Sequence, residues 1–299
     1  MFDFTPPSIA FSIGPVSVYY YGICYAVGLA LAALVIAREA RRRGLNVDEL
    51  PNGMIVVAIA AVLGGRLYHV IDQWALYRDD PLTIILPPYT GLGVFGGIIT
   101  GTIAGLAWIR IRRQPMLAWM DAVAPGLFAM QFVARWGNYF NQELYGPPTS
   151  LPWGIAIACE KRLPEFACPP FGVFPFETTR FHPLFLYESF SGLLGMLALI
   201  GLGRWMGGRL RRGDLFLAWL IWYSAVRFAL ETLRTENWRI LGVPTAQLIA
   251  GIGIVLGVAL LAYRHRPGAA PEPGLAATGP ESPTADPADP PGRGGPAAT

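Results

Sequence analysis

S-V-Y-Y-Y-G-I-C-Y-A-V-G-L-A-L-A-A-L-V-I-A, residues 17 to 37, carries no charge along its whole length and stops against a basic cluster, Arg38, Arg41, Arg42 and Arg43. About 20 apolar residues in helical conformation cross the ~30 Å hydrocarbon layer of a bilayer. Six more runs of that kind follow, at residues 53 to 71, 91 to 109, 116 to 134, 183 to 203, 215 to 233 and 245 to 263. The predicted fold is therefore an all-α integral membrane protein of seven spans. Composition agrees: of the 299 residues only 14% are charged and 53% are hydrophobic, whereas a soluble domain carries about 25% charge. A short polar start with no basic region and no small-residue cleavage site precedes the first run, which predicts a retained helix and not a removed signal peptide.

Basic residues fix the expected orientation, because Lys and Arg beside span ends stay on the cytoplasmic side. An outside N-terminus puts Arg38, Arg41, Arg42, Arg43, Arg110, Arg112, Arg113, Arg204, Arg209, Arg211, Arg212, Arg264 and Arg266 inside, 13 of the 23 Lys plus Arg. The outside segments hold six, spread over longer loops. The C-terminus is then cytoplasmic, and the net charge of +3 is a topogenic signal that gives no reason to expect a nucleic-acid partner.

One membrane domain is expected over residues 1 to 266, with an outside loop from about 137 to 182 rich in Pro, Gly and aromatic residues and so ordered with little regular structure. Residues 267 to 299 are Ala, Pro, Gly and acidic, without an aromatic, a composition that leaves a tail disordered. Cys24 falls in the first span; Cys159 and Cys168 share the outside loop, where an oxidising compartment permits a disulfide and spacing alone leaves it open.

Charges inside the spans carry the functional signal, since each costs about 2.5 to 3.5 kcal/mol near the bilayer centre and marks a site or a wet cavity. Arg66 follows two glycines in the second span. A-R-W-G-N-Y-F-N-Q-E-L-Y-G, residues 134 to 146, gathers Arg135, Asn138, Asn141 and Glu143 as the fourth span surfaces. Tyr223, Arg227, Glu231 and Arg234 follow at steps of four, four and three, which stacks them on one stripe of a helix. A guanidinium fork at this depth suits a phosphate, which it binds bidentately. The bland alternatives are snorkelling side chains at the first cluster and an ion pair that only ties helices together at the second. Gly96 and Gly97, in G-L-G-V-F-G-G-I-I-T-G, stand either at a close helix contact or where backbone approaches a ligand. His182, opening R-F-H-P-L-F-L-Y-E, is a candidate base or a structural interfacial residue. Most of the aromatics at the span ends are interfacial anchors; among Y-Y-Y at 19 to 21, Tyr21 is singled out. His69, His182 and His265 lack ligand spacing and no phosphate loop is present, so neither a metal nor a nucleotide cofactor is expected.

At these residues the chain resembles the prolipoprotein diacylglyceryl transferases. The likeness runs through I-G-P-V-S-V-Y-Y-Y-G, L-G-G-R-L, G-G-I-I-T-G, R-W-G-N-Y-F-N-Q-E-L-Y-G, H-P-L-F-L-Y-E and R-F-A-L-E-T-L-R, and leaves out the tail. It implies a bacterial inner-membrane enzyme that joins phosphatidylglycerol to the lipobox cysteine of a signal-peptide-bearing preprotein, as a thioether, with glycerol phosphate leaving. It also implies phosphate-binding and catalytic roles for Arg135 and Arg227, and site roles for Asn138, Glu143, Gly146, Glu231 and Tyr21. With the residues read above, Asn141, Gly96, Gly97, Tyr223, Arg66 and His182 complete the expected lipid-binding set. Phe95 stands where the family commonly has a histidine proposed as base, so Glu143 or Glu231 is expected to receive the thiol proton. The competing classes are an anion-selective transporter or channel filtered by Arg135 and Arg227, and a non-catalytic lipid-binding scaffold.

Overall fold

A computed structural model describes residues 4–14, 16–84, 91–235 and 238–268. The predicted tail, beyond residue 268, lies outside the described residues. Among the described residues seven α-helices run in chain order: α1 Tyr20–Arg42, α2 Glu49–Asp72, α3 Val94–Ile111, α4 Met116–Asn141, α5 Leu184–Trp205, α6 Asp214–Glu231 and α7 Thr245–Arg264. All but α6 are long and apolar enough to cross a membrane; α6 takes Asp214, Arg227 and Glu231 into its 18 residues. Large apolar side chains such as Leu34, Leu63, Ile103 and Val255 stand exposed around the bundle, the outward face that lipid covers and water does not.

α4 is the central helix. It packs along α1 on one side and α5 on the other and also touches α6 and α3, while α2 pairs with α3 and α6 with α7. Small residues set these approaches: a Cβ on Gly28 would lie 3.2 Å from the Met130 carbonyl oxygen of α4, and one on Gly192 would lie 3.0 Å from that of Phe128. Gly64, Gly65 and Arg66 do not interrupt α2, which is continuous to Asp72.

Two segments depart from the sequence reading. The N-terminal stretch is not merely polar lead-in: β1 Ile9–Ile13 pairs antiparallel with β2 Val16–Tyr19, turning at Gly14, whose φ of +58° suits a residue without a Cβ. Its Ile9, Phe11, Ile13 and Val16 are exposed. Then α4 outruns its apolar stretch by two turns, to Asn141, carrying Arg135, Asn138 and Asn141 into regular helix. The Arg135 and Asn138 side chains find protein partners there, so hydropathy alone stops too early. A second small hairpin, β3 Arg239–Ile240 with β4 Val243–Pro244, leads into α7.

The loop between α4 and α5 has its own core of Tyr145, Ile155, Ile157, Phe166 and Phe181 closed against Phe185 of α5. Cys159 and Cys168 form a disulfide within it. Arg162 is buried there, donating to the carbonyls of Ile157 at 2.9 Å and Phe174 at 2.7 Å, and burial pulls its guanidinium below the ordinary arginine value. This loop roofs one end of the bundle, over the ends of α4 and α5.

Candidate active site

The end of α4 shapes the site. Gln142 takes a left-handed conformation, φ 56° and ψ 43°, and the chain doubles back so that the Gln142 N–H donates to Tyr139 O and the Glu143 N–H to Asn138 O, each at 3.0 Å. This is a Schellman closure on a residue other than glycine, which costs on the order of 1 kcal/mol. The Gln142 side chain offsets that strain: its Oε1 accepts from Ala158 N at 2.8 Å and its Nε2 donates to Pro6 O at 3.3 Å. The turn returns Glu143 to the helix it has just left, where Asn138 Nδ2 donates to Glu143 Oε1 at 2.7 Å.

From Asn138 a row of alternating donors and acceptors crosses three helices. Arg135 Nη1 donates to Asn138 Oδ1 at 3.4 Å. Arg135 Nε is ion-paired with Glu188 of α5, Arg227 Nη1 of α6 lies 3.4 Å from the other oxygen of the same carboxylate, and Arg227 Nη2 lies 2.8 Å from Glu231. Glu188 and Glu231 are each only 4% exposed. Arg234, three residues past the end of α6, belongs to the same field: burial first, then repulsion by Arg227, pull its guanidinium below the ordinary value, while Glu231 and Glu188 act the other way. Arg135, Arg227 and Arg234 thus gather about the two buried carboxylates, guanidinium groups of the kind that complement a phosphodiester anion.

Glu143 differs from the other carboxylates. It has an amide partner and, among the described residues, no ion pair, it is exposed, and with Tyr21, Gly22, Asn141 and Lys161 it lines an open cavity of about 580 Å³. Tyr21 donates to Tyr25 at 2.9 Å and lies within electrostatic reach of both Glu143 and Arg135. Gly146 stands where the loop closes on the bundle: its N–H donates to His182 O at 2.9 Å, and a Cβ there would lie 2.9 Å from Leu233 O and 3.1 Å from His182 Cβ.

The structure thus brings together Arg135, Asn138, Glu143, Asn141, Tyr21, Arg227 and Glu231, with Gly146 and His182 at the loop closure. His182 Nδ1 faces the Tyr187 hydroxyl at 3.1 Å. Four expected lipid contacts sit differently. Gly96 and Gly97 lie at the α2–α3 contact, where an added Cβ on Gly96 would run into Gly64 O and one on Gly97 would lie 3.1 Å from Ala61 O, the close helix contact that the sequence offered as one of their two readings. Arg66 spends its guanidinium on loop acceptors, Thr83 O at 3.0 Å, Ile84 O and Gly91 O at 3.2 Å, and on the Tyr77 hydroxyl, so it braces the segment between α2 and α3. Tyr223 stacks on Trp219 with ring centroids 5.6 Å apart. Glu188 was not among the expected residues, although L-Y-E one turn into an apolar helix is itself a buried-carboxylate signal. Lys161 and Gln142, both supplied through the loop, carried none.

A helical membrane protein that gathers arginines and carboxylates from three of its helices belongs to the class whose ionisable side chains within the spans mark a functional site. The family model for prolipoprotein diacylglyceryl transferase matches residues 8–263. Similar curated proteins, each named phosphatidylglycerol–prolipoprotein diacylglyceryl transferase, include that of Trichormus variabilis, 38% identical over 89% of this chain and 94% of its own length. Those of Bifidobacterium longum, 34% identical over 94% and 91%, and Halalkalibacterium halodurans, 35% identical over 87% of each chain, are alike in extent. The chain belongs to the prolipoprotein diacylglyceryl transferase family.

Proposed function

We propose that this protein transfers the diacylglyceryl group of phosphatidylglycerol to the lipobox cysteine of a prolipoprotein. The cysteine sulfur forms a bond to the glyceryl carbon as that carbon's bond to the phosphate oxygen breaks. The electron pair leaves with glycerol phosphate, and the thiol proton goes to a carboxylate. The observation that carries this reading is the convergence of Arg135 and Arg227, from α4 and α6, on the single carboxylate of Glu188. Forks aimed from two helices can hold one phosphate and take up the charge it gains as it departs.

Glu143 is the proton acceptor in this scheme, because among the described residues it is the site carboxylate without an ion pair, and it faces open space. A cysteine thiol has a pKa of about 8.5, and positive potential beside it favours the thiolate. Asn138 then links acceptor to phosphate holder, and Tyr21 and Asn141 line the approach of the acceptor peptide. Glu231 positions Arg227. All seven helices span the bacterial inner membrane in this reading, with the N-terminus and the Cys159 to Cys168 loop outside and the C-terminus in the cytoplasm, so that the signal peptide and lipobox of the preprotein reach the site from the outer half of the bilayer.

The test is reconstitution of the purified protein in phosphatidylglycerol vesicles with a lipobox peptide, following glycerol phosphate release and the mass gained on the cysteine. Both are expected in equal amounts. Anion flux across the vesicle with no mass gained by the peptide would overturn the reading.

A further inference from the structure

Of the 23 Lys plus Arg in the chain, 22 are arginine, and Lys161 is the single lysine. It stands in the loop between α4 and α5, within the stretch closed by the Cys159 to Cys168 disulfide. It is exposed and lines the open cavity of about 580 Å³ together with Tyr21, Asn141 and Glu143. The cavity meets the guanidinium row through its own wall: Glu143 Oε1 accepts from Asn138 at 2.7 Å, and Asn138 Oδ1 accepts from Arg135 at 3.4 Å. Lys161 is also tied to the turn that carries Glu143. Its N–H donates to Ala158 O at 2.9 Å, the Ala158 N–H donates to Gln142 Oε1 at 2.8 Å, and the Lys161 carbonyl accepts from the Tyr145 hydroxyl at 3.3 Å. Among the described residues its ammonium makes no salt bridge.

Few ionisable groups face this space. Glu143 comes from the turn after α4, Tyr21 from α1 and Tyr19 from β2. On the loop itself Glu160 and Arg162 flank Lys161, and Arg162 is spent on the carbonyls of Ile157 and Phe174. Lys161 is thus the one cation among the described residues that line the cavity. Arginine clamps a pair of oxygens with its planar fork, whereas the lysine ammonium is a compact point charge on a flexible stem. A phosphate suits the first and a single sulfur atom the second. We infer that Lys161 is a catalytic cation of the acceptor side, held against the lipobox cysteine sulfur to stabilise its thiolate. This rests on the transfer reading above. The S–H bond breaks, Glu143 takes the proton, the sulfur electron pair goes to the glyceryl carbon, and Lys161 keeps its own protons throughout. A thiol brought about one unit below its usual ~8.5 holds about tenfold more thiolate at pH ~7. The less basic sulfur attacks more slowly, with a Brønsted slope of about 0.4 to 0.5, so the net gain is about threefold.

Transfer to a lipobox peptide in phosphatidylglycerol vesicles is followed across the pH range around the thiol value for the unaltered protein, Lys161→Met and Lys161→Arg. In Lys161→Met the midpoint of the alkaline rise in kcat should move up by about one pH unit, and the rate at pH ~7 should fall about threefold. Lys161→Arg keeps a charge beside the sulfur and should restore the midpoint. A peptide with selenocysteine in place of the cysteine, its selenol already ionised at neutral pH, should react with Lys161→Met as fast as with the unaltered protein. Because the chain has one lysine, the folded protein gives a second test that needs no variant. Acetylation of the Lys161 amine removes its charge and should reproduce the shift, whereas reductive methylation keeps the charge and should not. An unmoved midpoint in Lys161→Met or in the acetylated protein would overturn the inference. So would a deficit of equal size with the cysteine and selenocysteine peptides, which marks a residue that only seats the peptide or holds the loop. Absence of a thioether with the unaltered protein would instead overturn the transfer reading.

Discussion

Replacing Glu188 by glutamine keeps the volume and removes the one charge on which Arg135 and Arg227 meet. Losing one partner of a buried ion pair costs about 3 to 5 kcal/mol when both partners are buried. Here the guanidiniums are 24% and 22% exposed, so water takes up part of the loss, and about 2 kcal/mol is expected. At ~2 to 4 °C per kcal/mol for a chain of this order, the Tm of Glu188→Gln should fall by about 4 to 8 °C. Kinetics separate aim from mere stability. The variant removes one negative charge from the cluster, so KM for the anionic lipid should hold or fall. With the forks no longer fixed, kcat should drop by about 10², the scale of losing one preorganised donor in a transition state. Steady-state transfer at several phosphatidylglycerol fractions, with the folded fraction determined in parallel, makes the measurement. An unchanged kcat, or a rate that merely tracks the folded fraction, would refute the argument that Glu188 aims the two arginines.

Glu143→Gln should lose about 10² or more in kcat, the range of a general base, with the peptide's KM little changed. Raising the pH toward the thiol pKa of about 8.5 supplies thiolate without a base, so the deficit of this variant against the unaltered protein should shrink between pH ~7 and ~9; a constant ratio across that range would remove Glu143 as proton acceptor. For Gly146→Ala, the Leu233 carbonyl 2.9 Å from the new Cβ is backbone and must move, so about 1 to 3 kcal/mol of stability should be lost together with transfer activity, as thermal unfolding and the peptide assay would register. Reducing the bridge between Cys159 and Cys168, a loop shorter than the ~15-residue case worth about 3 kcal/mol, should expose the loop between α4 and α5 to protease while leaving the bundle resistant.

Most of the helical frame was legible because hydropathy over about 20 residues is a strong signal, and α5 and α7 begin within a residue of the apolar runs that announced them. The same rule ended α4 too early. In the turns beyond it Arg135 finds a partner in the next helix and Asn138 one in the returning chain, and such partners are tertiary facts. The stripe on α6 gave Arg227 and Glu231 from spacing, but Tyr223 on that stripe turns to Trp219 instead, since an aromatic ring gains more from stacking than from an ionic row. Gly96 and Gly97 carried two meanings until Gly64 and Ala61 were seen opposite them. Glu188 escaped because a single carboxylate in an apolar helix looks like an isolated cost until its two arginines, from helices on either side, are placed against it. The hairpin of β1 and β2 was missed because its strands are short and run straight into α1.

Because the charged row is assembled from α4, α5 and α6, its parts enter the bilayer at different times during synthesis. Arg135 arrives first and waits through the whole of the intervening loop for Glu188, and Glu188 in turn waits for Arg227. Each ionised group entering alone meets a penalty of about 2.5 to 3.5 kcal/mol that only a later helix relieves. A nascent chain ending after α4 therefore favours keeping its last turns at the water boundary until α5 brings Glu188 to Arg135.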